Sequence, residues 1–114
     1  MLYVEDDGTI KLTRGDTAKL TVTILDVLNQ NGNSEYEVSS TDRLVMTVKK
    51  SVNDKPYIIK KEVQGSNVIH IKPEDTEKLQ FGDYVYDVQL LTSSNDVYTI
   101  IEPSPFTILS EVGY

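Results

Sequence analysis

The sequence predicts an all-β fold: an Ig-like two-sheet antiparallel β-sandwich of about seven to eight strands, with one short helical turn near residues 73–79. Three observations carry this. Apolar residues alternate with polar ones in short runs, the period of half-buried strands. Turn residues separate the runs at the spacing of a sandwich or barrel. The apolar complement is mostly Val, Ile, Leu and Tyr, with Ala18 the single alanine, a bias toward strands over helices. At 114 residues the chain reads as one domain, 1–114, long enough for a core of its own.

The elements follow in order. TIKLT (9–13) opens the strand series, and Gly15-Asp16 separates it from LTVTIL (20–25). There Leu20, Val22 and Ile24 face one way, and Thr21 and Thr23 the other. Residues 26–41 form a long polar loop, either an interaction loop or a disordered one. RLVMTVKK (43–50) places Leu44, Met46 and Val48 on one face. Asn53-Asp54-Lys55-Pro56 turns it back onto PYIIKKE (56–62). Gln64-Gly65-Ser66-Asn67 leads into NVIHIK (67–72). Pro73 suits the first turn of a helix, and Glu74 and Asp75 suit its positive end, so one or two turns are expected there.

DYVYDVQL (83–90) sets Tyr84, Tyr86, Val88 and Leu90 against Asp83, Asp87 and Gln89. Ser93-Ser94-Asn95-Asp96 turns the chain, and DVYTII (96–101) and PFTILSEV (105–112) complete the set. Tyr84, just after the helical crossing, is either a tyrosine corner with its hydroxyl on upstream backbone or a plain core aromatic.

The chemistry is sparse. One His and no Cys leave no ordinary zinc site and no Cys-His or Ser-His arrangement for nucleophilic catalysis. His70 is out of phase with Ile69 and Ile71 and is expected to point to solvent. Glu5-Asp6-Asp7-Gly8 and Glu74-Asp75 lack the spacing of an EF-hand loop, so they read as solvated surface. No Gly-rich phosphate loop is present, and neither an enzyme nor a cofactor is expected. Arg14-Gly15-Asp16 spells an integrin-binding tripeptide, but Gly15-Asp16 is good turn chemistry between two strand runs, and a turn is the expectation. No apolar run is long enough to cross a bilayer, so no membrane partner is expected. The N-terminus lacks a basic and an apolar signal region, and the expectation is synthesis in the cytoplasm.

Charge is the strongest functional lead. The net charge of −7 argues against nucleic acid as the main partner. From Arg43 to Lys61 six basic residues stand against one acidic residue, a local +5, so the remainder carries −12. Lys49, Lys50, Lys55, Lys60 and Lys61 are therefore the candidate partner-contact residues. The plain alternative is that lysines protect an exposed strand from edge pairing.

Three segments carry a resemblance: LTRGDTAKLTVTI (12–24), RLVMTVKKSVNDKPYIIKKEV (43–63) and IKPEDTEKLQFGDYVYDVQLLTSSNDVYTII (71–101), followed by PFTILSEV. In order and spacing the chain resembles small phage and prophage structural domains of Gram-positive bacteria, and is similar to the N-terminal domain of siphophage upper baseplate proteins. The resemblance implies a non-enzymatic virion structural or assembly protein. Its partners would be other virion proteins, with copies of itself as a further option, and its final location the virion. Upper baseplate proteins continue past this domain, whereas this sequence stops at Tyr114, so baseplate, tail-associated and head-fibre roles are all expected options. The alternative from another class is an Ig-like module for carbohydrate or a cell-surface ligand, with Tyr36, Tyr57 and Tyr98 as its candidate ring platforms.

Overall fold

A computed structural model describes residues 2–24 and 37–110. Its elements in chain order are β1 (Leu2–Val4), β2 (Ile10–Thr13), β3 (Ala18–Thr21), β4 (Arg43–Lys49), β5 (Ile59–Gln64), β6 (Val68–Ile71), the short helix α1 (Pro73–Thr76), β7 (Gly82–Leu91) and β8 (Val97–Leu109). The described chain is thus mostly β, with one helical turn at the expected place. Residues 25–36, most of the expected 26–41 loop, lie outside the described residues, as does Tyr36.

Six strands form a curled sheet in the order β1-β2-β8-β7-β4-β5, and β3 and β6 form a separate two-stranded sheet. The expected antiparallel arrangement holds for every pair but one. β2 runs parallel to β8, with Ile10 opposite Phe106 and Thr13 opposite Leu109, so the larger sheet is mixed. A parallel pair needs a long connection, and here nearly the whole chain lies between its two strands.

Two runs read from the sequence as separate strands, DVYTII and PFTILSEV, are one strand, β8. Pro103 and Pro105 argue for a break, because proline cannot donate to a ladder. The structure accommodates them with irregular pairing. Between the Tyr86–Ser104 and Gln89–Thr99 pairs, three steps along β7 match five along β8, and Pro103 falls inside that bulged stretch. Pro105 lies one residue before pairing with β2 begins at Phe106. Conversely, β1 was not among the expected strands. It is only three residues long and pairs with β2 alone, which leaves no alternation to read.

The period-2 pattern located the core well. Leu20, Val22 and Ile24 are all buried, although the β3–β6 ladder ends at Thr21. Beyond it, backbone and side chain of Asn67 hold Val22, at 2.8 Å from the Val22 amide and 3.1 Å to its carbonyl. Ala18, Leu20, Ile69 and Ile71 of the small sheet share one hydrophobic core with Leu44, Met46, Val48, Tyr84, Tyr86, Val88, Leu90 and Phe106 of the large one. Val45 is out of phase yet also buried, because β4 is an interior strand and Val45 is flanked on the outer face by Glu62 of β5 and Gln89 of β7.

Two tyrosines bury their rings and satisfy their hydroxyls. Tyr84 donates to the Gln80 carbonyl at 2.8 Å, the upstream backbone bond expected of a corner tyrosine. Tyr86 donates to the Gly8 carbonyl, which ties the β1–β2 turn to the sheet, and its ring meets Phe106 edge-on at 6.0 Å. Gly8 has φ +93°, and a Cβ there would approach the Ser104 hydroxyl at 3.3 Å, so a side chain would be both strained and crowded.

Replacing Tyr86 with Ala should cost about 3–5 kcal/mol in urea unfolding, while Tyr86→Phe, which strands only the Gly8 carbonyl, should cost about 1 kcal/mol. A loss below about 1 kcal/mol for the alanine variant would mean the inward face of β7 is misassigned. Burial, with the Asp7 carboxylate adding to it, pushes the Tyr86 hydroxyl up from 10.0 to about 12. The unfolded chain therefore loses this proton first as pH rises. Stability should be intact below pH 10 and fall between pH 10 and about 12, more steeply in the wild type than in Tyr86→Phe. Parallel curves for the two proteins would contradict this.

Candidate functional site

The basic segment becomes the β4–β5 hairpin. Alternating Leu44, Met46 and Val48 drive β4 into the core, and β5 pairs with it from Arg43–Gln64 to Val48–Ile59. The amide of Ile58 donates to the Val48 carbonyl at 2.7 Å, which closes the base of a loop spanning residues 50–58. Inside it the Asp54 amide bonds to the Ser51 carbonyl at 3.2 Å, a local turn in the place the Asn-Asp-Lys-Pro run predicts. Along the hairpin tip Val52, Tyr57 and Ile58 stay exposed, at 57%, 58% and 38%. Lys50, Lys55 and Lys60 are exposed among them, and the Lys60 ammonium lies 5.7 Å from the centre of the Tyr57 ring.

The five candidate lysines do not act as a unit. Lys61 points inward, opposite the fully buried Met46, and pairs with Asp75 of α1 at 2.7 Å. The same Asp75 carboxylate accepts the Lys72 amide at 2.7 Å, so Lys61 helps to fasten the helical turn to the sheet. Lys49 stands in the field of Asp87. Both line a shallow hollow of about 60 Å³ on the outer face of the sheet, with Thr47, Val52 and Val85. Partial burial raises the Asp87 carboxyl above its usual range, and Lys49 opposes that shift. Arg43 bonds to Glu62 across the ladder at 2.8 Å. The local +5 therefore narrows to Lys50, Lys55 and Lys60, which hold no ion pair among the described residues.

β5 is an edge of the six-stranded sheet, so the edge-protection reading also has its place. Lys61 is an inward-pointing charge on an edge strand, a recognised device against pairing with another chain. Lys60 lies on the other face and, with the loop residues of the tip, is left over by that role.

The Arg-Gly-Asp tripeptide is a turn, packed down rather than offered. Gly15 has φ +81°, a region where Gly is favoured, and its amide donates to the hydroxyl of the fully buried Thr76 at 2.8 Å. The Arg14 guanidinium lies 4.2 Å over the Phe81 ring and reaches the Leu79 carbonyl at 3.3 Å. The Asp16 amide bonds back to the Thr13 carbonyl at 3.1 Å.

His70 is exposed on β6, opposite Lys19, in the orientation its phase predicts. Among the described residues no three His, Asp or Glu side chains gather as metal ligands do, and no helix is long and apolar enough to cross a membrane. Of the candidate ring platforms, Tyr57 is exposed and Tyr98 is half-buried against the core. Tyr3 and Phe81 are exposed as well; Tyr3 lies in the three-residue β1, too short for alternation to show, and Phe81 just before β7. Compared with known families and curated proteins, the chain matches no family model and no curated protein.

Lys61→Gln should lower stability by about 1 kcal/mol, because it removes a partly buried pair, whereas the triple change of Lys50, Lys55 and Lys60 to Gln should shift it by less than about 0.5 kcal/mol. Urea denaturation of the two variants checks the division between structural and surface lysines. Gly15→Ala should cost about 1–2 kcal/mol through its left-handed backbone alone. An unchanged unfolding midpoint in that variant would contradict the pinned turn.

Proposed function

We propose that this chain is a non-enzymatic virion structural or assembly domain of the phage and prophage type, working through protein–protein contacts with the β4–β5 hairpin tip as its main contact. The observation that carries the reading is the tip itself. It combines three exposed apolar side chains, Val52, Tyr57 and Ile58, with three lysines free of ion pairs among the described residues. An apolar centre inside a charged rim is the anatomy of a specific protein interface, and here the rim favours an acidic partner. The likeness of three ordered segments to phage structural domains supplies the setting, with other virion proteins as partners and the virion as location.

On this reading the two sheets are the layers of an Ig-like sandwich, and the Tyr84–Gln80 bond is its tyrosine corner. The mixed pairing of β2 with β8 would be a variation at one side of that sandwich. A second reading, a carbohydrate-binding module, draws on the exposed Tyr57 ring, since sugars stack on such platforms. A lone ring flanked by lysines suits it less well than it suits a protein contact.

The test is quantitative mass spectrometry of particles purified after prophage induction in the source bacterium. The chain is expected in fixed stoichiometry to the capsid or tail proteins. Particles that form without it would overturn the virion reading, and a glycan screen of the isolated chain would then test the second.

A further inference from the structure

The two outer edges of the six-stranded sheet are opposite in charge and alike in apolar exposure. At one edge stands the hairpin just described. At the other, β1 leaves Tyr3 and Val4 exposed at 51% and 54%, and leads into the turn Glu5-Asp6-Asp7-Gly8. That turn is well built. The Gly8 amide bonds to the Glu5 carbonyl at 3.0 Å, the Glu5 amide to the Thr9 carbonyl at 2.8 Å, and the Thr9 amide to the Asp7 carboxylate at 2.9 Å. The last of these bonds holds the Asp7 carboxyl below its usual range. Lys11 neutralises Glu5 at 3.0 Å. The backbone of exposed Glu102 lies near this turn, since its carbonyl accepts the hydroxyl of Ser104, which lies beside Gly8.

We propose that these two edges dock on one another between copies of this chain: the hairpin tip of one copy, Val52, Tyr57 and Ile58 ringed by Lys50, Lys55 and Lys60, seats against Tyr3, Val4 and the acidic corner of Asp6, Asp7 and Glu102 on the next. This rests on the reading of the hairpin as a contact surface and names its partner. Tyr3 and Val4, successive residues of an edge strand, bracket that edge from its two faces, and each patch presents exposed apolar side chains with charges that the other patch complements. The two patches sit at different edges, so the contact is heterologous, and repetition gives a closed ring or an open filament rather than a two-fold dimer. Whole-body repulsion between chains of net charge −7 opposes this at low salt. At about 0.15 M salt the screening length is about 8 Å, which removes most of that long-range term and leaves charges in contact.

Sedimentation velocity of the full chain tests the proposal, using two charge-reversed variants. One carries Lys50→Glu, Lys55→Glu and Lys60→Glu; the other carries Asp6→Lys and Glu102→Lys. The wild type should associate with rising concentration at about 0.15 M salt and less at about 1 M, where screening shortens to about 3 Å. Each variant alone should need at least about tenfold more protein to associate, equivalent to about 1.4 kcal/mol. Mixed together they should associate again, because each then meets the opposite charge on both of its edges, and that rescue shows both are folded. A monomeric wild type, a lysine variant that associates like the wild type, or a mixture that stays monomeric would overturn the proposal. Particle composition is a separate readout, so failure of self-association and failure of the virion reading are distinguishable.

Discussion

β8 holds the molecule together because it is paired along both sides. β7 runs beside it from Gly82 to Leu91, and β2 joins it on the other side over its last four residues. Without that second ladder, β1 and β2 would be an isolated two-stranded ribbon, which is marginal in water. With it, the N-terminal strands, the lysine hairpin and the core all belong to one sheet. The hydroxyl of Tyr86 adds a cross-tie, since it fixes the Gly8 turn to the strand beside β8. The parallel pairing has a functional consequence. It sends β1 to one border of the sheet and leaves β5 at the other, so the acidic turn and the basic tip belong to different borders.

Charge along this chain divides by what each side chain can reach. Lys61 and Arg43 find carboxylates within 2.8 Å, on α1 and across the ladder respectively, and Lys49 has Asp87 nearby. These are consequences of strand register, and they organise the fold around the hairpin. Lys50, Lys55 and Lys60 project from a loop or from the outer face of an edge strand and hold no ion pair among the described residues. Exposed apolar side chains on the same loop give those charges a reason to matter, because lone surface charges contribute little by themselves. The Arg-Gly-Asp turn shows the reverse case. Its arginine is occupied by Phe81 and by backbone, and its glycine is bonded to Thr76, so an adhesive spelling serves a structural joint.

Period-2 alternation made much of this legible from residues alone. The inward set on β7, the buried Leu20, Val22 and Ile24, the helical turn at Pro73 and the solvent-facing His70 all lie where the phase puts them. What was not legible is non-local. Nothing in TIKLT says that its neighbour will be a parallel strand almost a hundred residues away, and proline chemistry argued for breaking β8 where bulges preserve it. The contact surface was half legible. A lysine count finds the hairpin but cannot separate Lys61, whose partner Asp75 is distant in sequence, from Lys60 beside it. Nor does the acidic corner stand out, because Glu102 joins Asp6 and Asp7 only through the fold.

The most direct measurement is zero-length carbodiimide cross-linking of an equal mixture of isotope-labelled and unlabelled chain, read by mass spectrometry. The account predicts mixed-label peptides joining Lys50, Lys55 or Lys60 to Asp6, Asp7 or Glu102. Cross-links confined to single copies, or joining the hairpin lysines of one copy to carboxylates elsewhere on the next, would contradict it.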